Sequence, residues 1–259
     1  DFFIYANAAA LVFGQLFFAP LQVGSGLLLA FATVGISFVF RPLGALIAGH
    51  LGDVIGRRMV LVASLLLMGG ATMAIGLLPT YAQIGVAAPI LLVVLRILQG
   101  ISAGGEWGGA ALMAVEHAPT NRRGLFGASP QVGVPAGMLL STGVLAAMSA
   151  MLTDEQFMSW GWRVPFLLSV VLLVIGVFIR RRVSETPVFQ ELRERKSRSS
   201  VPLAMLVRVR WRELLLCTLI VTGCSVAGYL STGGYVTSYA TAVRNMDRRD
   251  VGAANRYEA

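Results

Sequence analysis

Four ionisable residues stand inside long apolar stretches of this 259-residue chain: Asp1, Arg41, Arg96 and Glu106. An ionisable group inside a membrane span is costly unless it is paired, so it usually marks a functional site. If these stretches are helices that cross a membrane, depth follows from a rise of about 1.5 Å per residue. Asp1, Arg41 and Glu106 then share a layer about 22 to 25 Å from the outer ends of their helices, and Arg96 lies only about 10 Å down.

The layer predicts proton chemistry. A carboxylate in a dry site holds a proton more readily, and a nearby arginine weakens that hold. We therefore expect Asp1, Arg41 and Glu106 to form a charge cluster in which one carboxylate binds a proton. A conformational change that alters the distance to Arg41 would load or release that proton. The alternative is a purely structural ion-pair network that holds the helices together.

A second set of residues predicts recognition of an anion. Arg96, Gln99 and Glu106 lie on one helical stripe about 80° wide, which must face a cavity or polar partners. A guanidinium group binds a carboxylate through two parallel hydrogen bonds. Arg96 and Gln99 are therefore the candidate substrate ligands, and Tyr5, one turn from Asp1, would line the same path.

The elements that position these residues follow from composition. The chain is 56% hydrophobic and 13% charged, with a mean hydropathy of +0.73, whereas soluble domains carry about 25% charged residues. Apolar runs of this length are typical of membrane-spanning helices. Seven spans are predicted, at residues 1–19, 26–48, 59–79, 88–115, 125–152, 163–180 and 214–242.

The charges between the spans predict their orientation. The formal net charge is +8, and the basic residues cluster in short connections, which favours a membrane explanation over a nucleic-acid partner. Connections 49–58, 116–124 and 180–213 carry arginines, while 17–25 and 80–87 carry no basic residue. By the positive-inside rule the three basic connections, and the N-terminus, are cytoplasmic.

The spacing of the spans predicts the domain organisation. Residues 1–180 form a six-helix bundle, 181–213 a basic linker, 214–242 the seventh span and 243–259 a polar tail. Thr186 followed by Pro187 favours a short amphipathic helix at the membrane surface within the linker. The alternative is a disordered basic linker.

The sharpest motif lies in the first basic connection. Its sequence runs Gly49-His50-Leu51-Gly52-Asp53-Val54-Ile55-Gly56-Arg57-Arg58. The glycines Gly49, Gly52 and Gly56 permit a tight turn and close helix approach. Asp53 suits a helix N-terminus, while Arg57 and Arg58 suit a carboxylate or a helix C-terminus.

Four further stretches complete the pattern. The longest runs from Arg96 to Gly109 and contains Gln99-Gly100 and Gly104-Gly105-Glu106-Trp107-Gly108-Gly109. The other three are Asp1-Phe2-Phe3-Ile4-Tyr5, Arg41-Pro42-Leu43-Gly44 and Glu185-Thr186-Pro187-Val188-Phe189. With the first motif, they resemble the major facilitator superfamily, and within it the metabolite:H⁺ symporter family of shikimate, 2-oxoglutarate, citrate and proline or betaine carriers. Val54 departs from that family, where a basic residue is usual.

The resemblance implies an all-α membrane fold, the six-helix N-terminal half of inverted 3+3 repeats plus helix seven of an incomplete second half. It implies that residues 49–58 act as a cytoplasmic latch. Because Glu116 lies close to Arg122 and Arg123 in the sequence, we expect it to belong to the same latch. We expect H⁺-coupled symport of a small carboxylate or zwitterion by alternating access. A facilitator or antiporter of the same fold, or a non-transporting truncated remnant, are the alternatives.

The same resemblance sets the remaining expectations. The partners are a small organic acid or zwitterion, protons and the lipid bilayer of a bacterial inner membrane, and the protein is a monomer. No enzyme activity is expected, because neither GxSxG nor HExxH is present. No cofactor or metal is expected either, since Cys217 and Cys224 form no ligand cluster with histidines.

Overall fold

The computed structural model describes residues 2–18, 23–182 and 208–232. Asp1, most of the predicted linker with its amphipathic helix, and the predicted tail lie outside the described residues. The chain divides into two compact units, Asp1–Arg198 and Ser199–Ala259. The first contains a helical bundle, and the second contributes one long helix.

Long helices account for most of the described residues. They are α1 (residues 2–17), α2 (Val23–Ile55), α3 (Arg57–Leu77), α4 (Ala87–His117), α5 (Arg123–Met151), α6 (Val164–Arg182) and, in the second unit, α7 (Trp211–Thr232). Short α-helical turns lie at Tyr81–Ile84 and Asp154–Ser159, and short 3₁₀ turns at Thr120–Arg122 and Gly161–Arg163.

The first helix is interrupted. It runs as an α-helix over Phe2–Ala8, a π-helix over Ala9–Phe13 and an α-helix again over Gly14–Phe17. A π-helical turn inserts one extra residue into the helical repeat and is frequently found at functional sites. The π-helical turn therefore changes the rotation of the Tyr5 segment about the helix axis relative to the Phe17 segment.

Five helical stretches of the described residues are long and apolar enough to cross a membrane. They are Leu28–Ile55, Arg57–Leu77, Ala87–His117, Thr120–Met151 and Gly161–Arg180. They correspond to the predicted spans two to six. The all-α membrane fold is thus confirmed. The predicted first span matches α1, and the predicted seventh span overlaps α7 over residues 214–232.

Helices α2 and α4 share the most extensive interface of the bundle. Glycines bring their backbones together, because a Cβ atom at Gly100 would collide with the carbonyl of Ser37. A Cβ at Gly104 would collide in the same way with the carbonyl of Arg41, and one at Gly44 with the backbone of α4. Small residues of this kind are how helices pack closely inside a membrane.

An aromatic cluster fills the bundle at the end opposite the α2–α3 turn. Phe13 contacts Tyr5, Phe17 and Trp162 edge to face, with ring centroids 5.0, 5.2 and 5.6 Å apart, and stacks on Phe166 at 5.9 Å. All five side chains are fully buried. Each buried aromatic pair adds about 0.5–1.5 kcal/mol beyond the area it buries, so this cluster anchors α1 to the start of α6.

The first basic connection differs from the prediction. Helix α2 continues through Gly49, Gly52 and Asp53 to Ile55, and α3 begins at Arg57, so the turn consists of Gly56 alone. Gly56 has φ 104°, a backbone conformation that side chains other than glycine rarely adopt. The expected loop over 49–58 is therefore wrong, and only one of its three glycines makes the turn.

Candidate functional site

Arg96 lies in the middle of the bundle with 0% of its surface exposed. Its Nη1 donates to Oε1 of Gln99 and its Nη2 to the hydroxyl of Ser37, both at 2.7 Å. Its Nε donates to the backbone carbonyl of Thr33 at 3.2 Å. Arg96 and Gln99 are three residues apart on α4, and Thr33 and Ser37 four apart on α2, so each pair presents its polar groups on one helix face.

Tyr5 covers the guanidinium group. The Cζ atom of Arg96 lies 3.8 Å from the centroid of the Tyr5 ring, within the range of a cation–π interaction. The hydroxyl of Thr33 donates to the carbonyl of Ala30 at 2.6 Å, so the Tyr5 hydroxyl, 2.5 Å from the Thr33 hydroxyl, is the donor in that contact. Tyr5 is thereby held on both its ring face and its hydroxyl.

The amide of Gln99 continues the network to α3. While its oxygen accepts from Arg96, its Nε2 donates to the hydroxyl of Thr72 at 2.8 Å. Thr72 in turn donates to the carbonyl of Met68 at 2.8 Å, one turn back on its own helix. A continuous set of hydrogen bonds therefore joins four helices, α1 to α4, around one buried charge.

The three predicted substrate residues are brought together by this packing. Tyr5 and Gln99 each contact Arg96 directly. All three are buried, with 0% of Tyr5 and 2% of Gln99 exposed. Their role in binding substrate stays a prediction.

The predicted proton-binding residues have a different arrangement. Asp1 lies outside the described residues. Arg41 lies over the ring of Phe38, with its Cζ atom 4.1 Å from the centroid. Glu106 forms an ion pair with Arg180 of α6, at 2.6 Å, rather than with Arg41. Their role in proton coupling stays a prediction.

Arg180 links three helices at the end of the bundle that carries the α2–α3 turn. Its Nη1 donates to the carbonyl of Leu61 on α3, and its Nη2 to Glu106 on α4. Its own carbonyl, in the last turn of α6, accepts from Nε of Arg58 at 3.3 Å. Arg57 pairs with Glu116, and both side chains are mostly buried. We name these five residues, Arg57, Arg58, Glu106, Glu116 and Arg180, the latch cluster.

The predicted latch motif thus contributes unequally to the cluster. Arg57 meets a carboxylate and Arg58 a helix C-terminus, the two kinds of partner expected from the sequence. Asp53 is exposed, and Gly49 has open space around its Cβ position. In the described part of the chain, the motif acts on the bundle through its arginines and through the turn at Gly56.

Four residues of these networks were not predicted. Thr33, Ser37 and Thr72 are hydroxyl residues in apolar helices, where such residues are common, and Arg180 belongs to a run of arginines that the positive-inside rule already explains. One signal was available, because Thr33 and Ser37 are spaced by one helical turn and therefore share a face. The other two give no such pattern.

The long apolar helices of this bundle are those of a protein that crosses the membrane several times. Comparison with known proteins defines the class of protein. Residues 5–212 match the family model described as sugar (and other) transporter. The fold is similar to that of the proton:xylose symporter XylE bound to 6-bromo-6-deoxy-D-glucose, with a TM-score of 0.63 and 18% sequence identity. That alignment covers 91% of this chain and 53% of XylE.

The chain belongs to the sugar (and other) transporter family, which is a family of transporters and not of enzymes, and its fold is the major facilitator fold. It is 46% identical to the inner membrane metabolite transport protein YhjE of Escherichia coli over 93% of this chain and 55% of that protein. It is 50% identical to the E. coli shikimate transporter over 74% of the chain and 44% of the relative. A putative proline/betaine transporter of Staphylococcus aureus is 36% identical, over 95% and 53%.

These matches confirm the family resemblance and the major facilitator fold predicted from the motifs. The chain spans about half the length of the curated relatives it matches. This agrees with the predicted six-helix N-terminal half plus a seventh helix.

Proposed function

We propose that this chain is the N-terminal part of a secondary active transporter that moves a small carboxylate or zwitterion together with protons across the bacterial inner membrane. The observation that carries the proposal is the buried Arg96 network. The Arg96 guanidinium is fully buried and donates to the carbonyl of Thr33, the hydroxyl of Ser37 and the amide oxygen of Gln99. An arginine held in this way favours an anionic ligand group.

The burial of the network supports alternating access. Arg96 and Tyr5 have no exposed surface in this conformation, so the binding step requires the helices around them to separate. Transporters built from two halves expose a central site by rocking one half against the other. Arg96 and Gln99 would orient the carboxylate of the substrate, and Tyr5 would leave the guanidinium as the substrate arrives.

Proton coupling rests on Asp1, Arg41 and Glu106. Glu106 has Arg180 as its ion-pair partner, and protonation of Glu106 would break that pair. This links a proton to the contact between α4 and α6. A second candidate role is favoured by the same contact, because an ion pair among helix ends also serves as a purely structural lock.

Glu106→Gln separates the two roles. Loss of the titrating carboxylate abolishes uptake driven by a proton gradient, while exchange of substrate across the membrane is retained. The matched control is Glu116→Gln on the same helix, which removes the charged partner of Arg57 and leaves Glu106 in place. Retained uphill uptake in Glu106→Gln would remove Glu106 from the coupling step and leave it as part of the lock.

The function itself is tested by uptake into proteoliposomes with the complete gene product. A panel of labelled compounds, shikimate, 2-oxoglutarate, citrate, proline and glycine betaine, is offered with and without an inward proton gradient. We expect concentration of one or more of them above equilibrium only when the gradient is present. Equilibration without concentration would favour a facilitator, and uptake of a neutral sugar alone would contradict the role given to Arg96.

A further inference from the structure

The hydroxyl groups around Arg96 share one feature. Each donates its own proton to a carbonyl of the preceding turn of its helix, Thr33 to Ala30 and Thr72 to Met68 at 2.6 and 2.8 Å. Ser37 donates to Val34 at 2.9 Å in the same way. A hydroxyl has a single proton to donate, so each of these groups offers only acceptor lone pairs to the network.

This feature decides the orientation of Gln99. An amide presents an acceptor oxygen on one side and a donor NH₂ on the other. The Thr72 hydroxyl can only accept, and it accepts a hydrogen bond from Nε2 of Gln99 at 2.8 Å. The amide oxygen of Gln99 is therefore turned toward Arg96. In the reverse orientation the NH₂ group would face the guanidinium, donor against donor. Gln99 is only 2% exposed, and water does not compensate for such a mismatch.

We propose that Thr72 is a positioning residue of the substrate site, which fixes the amide of Gln99 and through it the direction of the Arg96 guanidinium. Thr72 lies on α3, and its hydroxyl accepts from the Gln99 amide, whose oxygen in turn accepts from the Arg96 guanidinium. The inference rests on the proposed role of Arg96 as the group that binds the substrate carboxylate. If Thr72 has this role, α3 is one of the helices that determine the affinity for substrate.

The test compares KM and kcat for uptake by the complete transporter in proteoliposomes. The probe is labelled shikimate, or labelled glycine betaine if the panel shows uptake of that compound instead. Thr72→Val keeps the shape of the side chain and removes the acceptor. Because a neutral hydrogen bond contributes about 1 kcal/mol, we expect a rise in KM of about fivefold with little change in kcat. Thr72→Ser keeps the hydroxyl and restores the original KM.

Two controls distinguish positioning from general damage. Ser169→Ala removes a hydroxyl that is equally buried and bonded to its own helix, at Phe166, but lies outside the network; its KM stays unchanged. If Thr72→Val does not yield a monodisperse protein, Thr72→Ala replaces it. Thermal unfolding in detergent shows whether each variant is folded before uptake is measured.

A double variant decides the route of the effect. With Gln99→Leu in place there is no amide to orient, so adding Thr72→Val leaves KM where Gln99→Leu has set it. An equal rise in KM in both backgrounds, or no rise in either, overturns the inference. Arg96→Lys tests the underlying proposal separately. If that variant binds the probe like the unmodified protein, the role of Arg96 in binding fails, and with it the purpose assigned to Thr72.

Discussion

At the scale of single residues, Arg96 shows how a charge is held inside a membrane bundle. Its contacts to a backbone carbonyl, a hydroxyl and an amide come from two different helices, and the ring of Tyr5 adds a third. Breaking a buried charged hydrogen bond costs more than breaking a neutral one, about 1.5–3 kcal/mol. The same contacts that position the charge for a ligand therefore also stabilise the packing of α1, α2 and α4.

Tyr5 makes two separable contributions to this stability. Tyr5→Phe keeps the ring over Arg96 and removes the hydrogen bond to Thr33, which we expect to lower the free energy of unfolding by about 1 kcal/mol. Tyr5→Leu also removes the cation–π contact, which is worth about 2 kcal/mol when desolvated. Thermal unfolding of the purified protein in detergent measures both.

The control for the Tyr5 series is Phe17→Leu. Phe17 is fully buried on the same helix and packs against Phe13 and Trp162, away from Arg96. This substitution measures how much the free energy of unfolding falls when the cluster loses an aromatic ring that does not lie over a cation. If Tyr5→Leu destabilises the protein no more than Phe17→Leu, the contact between the ring and the guanidinium carries no stability of its own.

The residue types of the site were accessible from the sequence, and their partners were not. Arg96 and Gln99 were predicted together because they share one helical stripe, and Tyr5 because it lies one turn from Asp1. The partner of Glu106 was predicted from depth alone, which does not specify the rotation of a helix about its axis. The structure assigns Glu106 to Arg180 on α6, a residue whose charge had been explained by membrane topology.

At the scale of the helices, glycine positions decide how closely α2 approaches α4. At Gly104 an added Cβ would collide with the backbone carbonyl of Arg41, which cannot rotate away as a flexible side chain can. At Gly108, one turn further along α4, the same atom would meet open space. The two positions lie on one helix and differ only in what faces them, so they form a matched pair.

We expect opposite results from alanine at these two positions. Gly104→Ala forces α2 and α4 apart and lowers the free energy of unfolding by about 1–3 kcal/mol, the usual cost of overpacking. Gly108→Ala gains helix propensity, about 0.8–1 kcal/mol in a helix interior, and is neutral or stabilising. Unfolding of both variants by heat in the same detergent gives the comparison. Equal stability of the two would show that the α2–α4 interface adjusts without strain.

The sequence predicted the helices better than their contacts. Hydropathy located the described spans, because a helix must keep its apolar residues over the width of a bilayer. It placed the end of α2 too early, at residue 48, because the polar residues His50 and Asp53 resembled a loop, yet the helix continues to Ile55. A glycine is visible in a sequence, but only the crossing geometry shows that Gly104 contacts a backbone and Gly108 does not.

At the scale of the bundle, its two ends are held by different contacts. At one end the latch cluster ties α3, α4 and α6 with charged groups. At the other end Nη1 of Arg163 donates to the carbonyls of Gly76 and Leu78 at 2.8 and 2.7 Å, which caps the C-terminus of α3 with a cation. A carboxylate in an ion pair can take up a proton and a backbone carbonyl cannot, so regulation by protons is expected at the latch end.

The contacts at the latch end also constrain topology. Arg57 at the start of α3 pairs with Glu116 at the end of α4, and Arg58 bonds to the last turn of α6. The connections after α2, α4 and α6 therefore emerge at the same end of the bundle. These are the three connections that carry the arginines, so by the positive-inside rule we expect this whole end to face the cytoplasm.

Cysteine labelling tests that assignment. In a background with Cys217 and Cys224 changed to serine, Asn121→Cys places a thiol after α4, and Glu155→Cys places one after α5; both positions are exposed. A membrane-impermeant maleimide added to spheroplasts should modify the cysteine at position 155 and should reach position 121 only after the membrane is permeabilised. Labelling in the reverse order would invert the orientation of every span. Labelling of both from outside would contradict the alternation of the helices, because one crossing of the membrane separates the two positions.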